Sequence, residues 1–208
     1  AVPLAFCLLL CRLPRQKFLR RAPKNPRRID KRARVWYYDR VTFIGGAYEE
    51  IKVAPSILSA DFAAMGEAVE RLETSGADLV HCDVMDGTFV PLITFGSHMV
   101  EALRPHTRLP LEKGVEFARA GADILTVHAE ACGDRLGEAL RHIRSLGVKS
   151  GVAVSPHTLV ESVLPYAEDF DMLLVMSVVP GRGGQKLIED TLKKAEKARD
   201  FFATHGIV

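Results

Sequence analysis

From residue 51 onward the apolar positions alternate between strand-like runs and helical spacing, and that alternation predicts the architecture. Ile51–Leu58 (IKVAPSIL) reads as a strand running into a loop, Asp78–Asp83 as a second strand, and Thr107–Leu111 weakly as a third. Asp123–His128 (DILTVH), Lys149–Val154 and Asp171–Met176 (DMLLVM) follow as mostly apolar strands. Between them, Phe62, Met65, Val69 and Leu72 define a helix over 61–75, capped by Asp61 or Ser59 and stopped by Gly76. Ser97–Leu103 is a short helix ending before Pro105, and Val115–Ala120 the end of another, closed by Gly121. Leu136, Leu140 and Ile143 place a helix over 135–146, and helices are also expected at Leu159–Ala167 and Lys186–His205. Gly206-Ile207-Val208 looks like the start of one more strand.

Repeated strand–helix units with apolar strands imply a parallel sheet covered by helices, the α/β class. Six strands and a stub are expected. In α/β barrels and doubly wound sheets, functional groups collect at the carboxyl ends of the strands. The search for chemistry therefore starts there.

Residues 1–50 are a different kind of sequence and are set aside from the fold. They hold 12 Lys and Arg against 4 Asp and Glu; from totals of 28 and 26, the rest of the chain keeps 16 basic and 22 acidic residues. The run PLAFCLLLC at 3–11 is too short to span a bilayer. A basic segment follows it, whereas a signal peptide carries its positive charge ahead of the apolar run. A transit peptide would be Arg-rich and acid-poor, as here, but also Ser-rich, and the first serine is Ser56. A solvated basic extension, disordered or foreign to the native domain, is the expectation. Charge alone would also allow a nucleic-acid-binding arm, but no nucleic-acid partner is expected. Cys7, Cys11, Cys82 and Cys132 form no CxxC pair, so neither a disulfide framework nor a thiolate zinc site is indicated. A reducing compartment follows: the cytoplasm, or an organelle if residues 1–50 are a transit peptide.

The densest chemistry lies in Val80–Pro91 (VHCDVMDGTFVP). His81 and Asp83 are two apart, so on a strand they share a face. Polar groups at the end of a buried strand are costly unless paired or used. An imidazole beside a carboxylate suits zinc, iron, manganese or cobalt, and the carboxylate can also act as a base. Two ligands do not complete a catalytic metal site. Gly181, Gly183 and Gly184 let backbone amides approach an anion, and Arg182 either adds charge or points into solvent. Ser56, Met85 and Met176 stand at other strand ends. His128 also ends a strand, but the sequence shows no partner for it.

APSILSADF (Ala54–Phe62), HCDVMDGTFVP (His81–Pro91), ITFG (Ile93–Gly96) and MSVVPGRGGQK (Met176–Lys186), in that order, resemble the ribulose-phosphate 3-epimerases of the pentose phosphate pathway. The resemblance covers residues 51–208 and implies a (β/α)8 TIM barrel, here truncated to about six βα units. It implies that one divalent metal ion is bound by His81 and Asp83. Asp83 would take the proton from C3 of D-ribulose 5-phosphate, and an aspartate on the opposite face would return it to give D-xylulose 5-phosphate. Ser56, Met85 and Met176 would contact the substrate, and Gly181, Gly183 and Gly184 its phosphate.

The family's third-strand Asp-x-His element and its seventh and eighth strands are not found in these 208 residues. Glu112 stands where the third-strand element should begin. The alternatives are a non-catalytic sugar-phosphate-binding barrel fragment, or an epimerase of another ketose phosphate. The expected partner is a small ketose phosphate. A homo-oligomer is left open, and no membrane span is expected.

Overall fold

A computed structural model describes residues 53–112, 117–181 and 184–207, together with the backbone of Cys7–Cys11. Residues 12–52, the expected helix start at Val115-Glu116, Arg182, Gly183, Val208 and the Glu112 side chain lie outside the described residues.

The described strands are β1 (Cys7–Cys11), β2 (Val80–His81), β3 (Leu111–Glu112), β4 (Ile124–His128), β5 (Lys149–Val154) and β6 (Met172–Met176). They form a single sheet in the order β1-β6-β5-β4-β3-β2. From β2 to β6 every pairing is parallel. A parallel bridge from Ser56 to His81 continues the sheet beyond β2.

Side chains alternate across each strand, and the two faces pack differently. On the outer face, Val152, Val154, Leu173 and Val175 pack on Leu136 and Leu140 of α4 (Leu136–Ser145), which follows the short α3 (Ala129–Cys132), and on Ala195 and Ala198 of α5 (Asp190–Thr204). Val80, Leu111 and Leu125 pack on Val69 and Leu72 of α1 (Met65–Thr74) and on Val100 and Leu103 of α2 (Ser97–Leu103). On the inner face, Ala54, Leu79, Ile124, Ala153, Met172, Leu174 and Met176 pack on one another, with no helical residue among them. Helices outside and a layer of strand side chains inside are the arrangement of a TIM-barrel interior. Gly151 shows how tight that layer is: a Cβ there would lie 2.3 Å from Thr126 Oγ1.

The helices follow from their local sequence. Asp61 accepts a hydrogen bond from the Ala63 amide at 3.0 Å, and the Met65, Ala68, Val69, Leu72 spacing buries one face of α1. Gly76, at φ 88°, ends it, with the Ala77 amide bonding back to the Leu72 carbonyl at 3.1 Å.

Several sequence expectations are corrected. The apolar run near the start is not separate from the fold: Cys7–Cys11 pairs antiparallel with β6, Leu9 opposite Leu174. The strand expected over 51–58 is reduced to the Ser56 bridge. The third strand lies at Leu111–Glu112 rather than 107–111, because Pro110 has no amide to pair and Thr107 is held sideways by Glu73 at 2.9 Å. The stretch 159–167 is two single 3₁₀ turns, Val160–Ser162 and Leu164–Tyr166; Pro165 brings no amide for an α-helical ladder. The last helix starts at Asp190, not 186, since the Ile188 amide is bonded to the Ser177 carbonyl at 2.9 Å. Gly206 and Ile207 do not begin a strand. They close α5, the Ile207 amide reaching the Phe202 carbonyl at 2.9 Å.

Candidate active site

The inner-face alternation brings residues from separate strands to one end of the sheet. A cavity of about 930 Å³ opens there, bordered by His81, Asp83, Met85, His128, Met176 and Gly181 among others. It lies at the carboxyl ends of β2, β4, β5 and β6, where this architecture places its chemistry.

His81 Nε2 lies 3.1 Å from Asp83 Oδ1. The Ser56 hydroxyl donates a short hydrogen bond to the other carboxylate oxygen, Oδ2. Ser56 is 2% exposed, and its Oγ also accepts from the Leu58 amide at 3.1 Å. It therefore stands behind Asp83, away from the residues that border the cavity.

Thr94, which the sequence reading passed over inside ITFG, folds back onto this pair. Its hydroxyl donates to the Asp83 carbonyl at 2.7 Å and accepts from the Met85 amide at 3.0 Å. The loop between turns on Asp86, whose Oδ1 accepts from the Thr88 amide at 2.9 Å, and on Gly87 at φ 82°. The Thr88 amide holds the Asp86 carboxyl below its usual range. Val90 of this loop leaves little room at Gly181, where a Cβ would come within 3.4 Å of it. The β2 loop and the glycine loop thus meet over the cavity. Gly181 and Gly184 have φ of 114° and 72°, conformations that glycine adopts without strain.

His128 has the partner that the sequence did not reveal. Its Nδ1 lies 3.0 Å from Glu130 Oε2, and the Phe89 ring covers it at a centroid distance of 4.5 Å. Glu130 Oε1 accepts from the Ser155 amide at 2.7 Å and from the Thr158 hydroxyl. Burial opposes the Glu130 charge, but the bonds from His128, Thr158 and Ser155 outweigh it and bring the carboxyl from 4.5 down to about 2. Beside it, the Lys194 ammonium donates to the Ser155, Pro156 and Thr158 carbonyls, and its pKa is lowered by burial. The available signal was the spacing itself: His-x-Glu at a strand end lets the carboxylate turn back onto the ring. Cys132, whose thiol is pushed up by burial, borders the same cavity.

The 3.1 Å between His81 Nε2 and Asp83 Oδ1 is a hydrogen-bond separation, and an imidazole and a carboxylate are also donor types that a divalent ion takes. Among the described residues, no group of three or more His, Cys, Asp or Glu side chains gathers around a common point. No helix among them is long and apolar enough to cross a membrane.

The ribulose-phosphate 3 epimerase family model matches residues 52–207. Ribulose-phosphate 3-epimerase of Bacillus subtilis is 50% identical over 159 residues, which are 72% of this chain and 73% of that protein. The chloroplastic ribulose-5-phosphate-3-epimerase of Arabidopsis thaliana is 43% identical over 169 residues, 76% of this chain and 60% of that one. Mandelate oxidase superposes over 69% of this chain and 56% of its own with a TM-score of 0.43 and 18% identity, too loose a likeness to bear on chemistry. The inner strand layer, the His81–Asp83 pair at its end and the match across nearly all of 52–207 agree: this chain belongs to the ribulose-phosphate 3-epimerase family.

Proposed function

We propose that the cavity takes D-ribulose 5-phosphate and inverts its C3 to give D-xylulose 5-phosphate, with Asp83 removing the C3 proton from one face and a solvent-derived proton added to the other. The setting of Asp83 carries this reading: a carboxylate on a cavity wall, with one oxygen against His81 and the other held by Ser56. Each carboxylate oxygen has two lone pairs, so these partners fix the group and leave it capacity to accept a proton. The C3 proton is acidified by the neighbouring C2 carbonyl, and the carbanion charge passes onto that oxygen, where nearby positive charge or donors lower the barrier.

The roles of the remaining residues follow from their places. Met85 and Met176 give the reacting carbons an apolar, water-poor setting. Gly181 and Gly184, with Gly183 between them, offer close backbone approach for the phosphate. Ser56 acts through Asp83. His81 and Asp83 would hold a divalent ion of the zinc, iron, manganese or cobalt kind, which when bound supplies positive charge for the sugar oxygens.

The test is hydrogen exchange at C3. The full chain, given a divalent ion and D-ribulose 5-phosphate in D₂O, is expected to place deuterium at C3, read by NMR of the sugar, and D83N to lose this. Exchange no faster than with D83N would end the proposal.

A further inference from the structure

His128 borders the same cavity as His81 and Asp83, but from β4, with β3 between. Its side chain is 24% exposed, enough to meet a ligand. Nothing in the proposed proton transfer uses it, yet it is unusually well held. Glu130 takes one ring nitrogen, and Glu130 is itself fixed by an amide and a hydroxyl from the segment after β5. Phe89 lies against the ring from the β2 loop.

A carboxylate accepts hydrogen bonds only, so Nδ1 must carry the hydrogen it shares with Glu130. In the neutral ring, Nε2 is then an acceptor. A fixed acceptor in a cavity with apolar walls is the group a site uses to select a hydroxyl over a methylene. Building on the ketose-phosphate reading above, we propose that His128, oriented by Glu130, is a binding residue whose Nε2 accepts a hydrogen bond from a sugar hydroxyl. Glu130 is a positioning residue that acts through it. Phe89, on the ring face, closes the same side of the sugar from water.

The test uses the full chain labelled with ¹⁵N-histidine and ¹³C-methyl methionine. Long-range ¹H–¹⁵N spectra are expected to show His128 with its hydrogen on Nδ1, and E130Q to lose that preference. Adding D-ribulose 5-phosphate should shift His128 Nε2 together with the Met85 and Met176 methyls, while inorganic phosphate alone should leave Nε2 unmoved. H128F should weaken sugar-phosphate binding about fivefold to tenfold, the effect of one neutral hydrogen bond, and H128Q should recover much of it. A hydrogen on Nε2 overturns the inference. So does a ligand that moves the methionines but not His128, a result that leaves the ketose-phosphate reading standing. If the sugar phosphate moves none of these groups, both fall.

Discussion

Ser56 and Asp83 stand 27 residues apart in sequence and are joined by a single hydrogen bond, the Ser56 hydroxyl donating to Asp83 Oδ2. The bond ties the segment beyond β2 to the loop that follows β2. A buried hydroxyl spent on a carboxylate orients that carboxylate, and it is worth more than a bond between neutral groups. S56A is therefore expected to cost on the order of 1–2 kcal/mol of stability in urea unfolding. C3 exchange should slow by about tenfold, because Asp83 stays in place but loses its fixed angle. A variant with parental exchange would show that His81 and Thr94 orient Asp83 without help.

Glu130 makes a prediction in pH. Its folded carboxyl sits at about 2 against an ordinary 4.5, so the folded state holds the ionised form more tightly than the unfolded chain does. The stability this contributes is fully present above about pH 4.5 and is lost as pH falls toward about 2. The contribution is up to about 3 kcal/mol. Urea midpoints for the parent and E130Q should differ near neutrality and converge at the acid end of that window.

Gly151 tests the inner layer. A Cβ there would meet Thr126 Oγ1 at 2.3 Å and Met172 Cε at 3.0 Å. G151A is expected to lose about 1–3 kcal/mol through overpacking. T126A removes the nearest obstacle, so G151A/T126A should recover part of that loss. Additive destabilisation in thermal melts would mean that the layer is looser than described.

The β1–β6 pairing can be tested through the backbone. Leu9 lies opposite Leu174 in the middle of the ladder, and proline there cannot donate to it. L9P should speed amide hydrogen exchange along Met172–Met176 and favour association through the freed edge, visible by light scattering. Unchanged protection in β6 would remove β1 from the sheet.

The strands and the His81–Asp83 pair are legible in sequence for local reasons. Residues two apart at the end of an apolar strand must share a face, and Gly76, Gly121 and Gly147 mark where helices stop. What is not legible depends on distant partners. PLAFCLLLC says that it wants burial but not where, and its pairing with β6 is set by an edge far along the chain. His128 seems partnerless until the Glu130 carboxylate turns back to it. Thr94 looks like one more loop threonine until the loop closes and puts its hydroxyl between Asp83 and Met85. The turns at 160–166 mislead because their apolar spacing is helical while Pro165 is not.

The direction of β1 has a consequence for the supply of chemistry. Cys7 is paired with Met176 and Cys11 with Met172, so the chain enters the sheet at the cavity rim and leaves at the far end. A parallel strand would hand its following loop to the rim. This one runs away from the rim, so β1 covers the edge of β6 without handing a following loop to the cavity. The Asp83 carboxylate and the His81 and His128 rings that border the cavity come instead from the parallel side of the sheet, from β2, the loop that follows it, and β4.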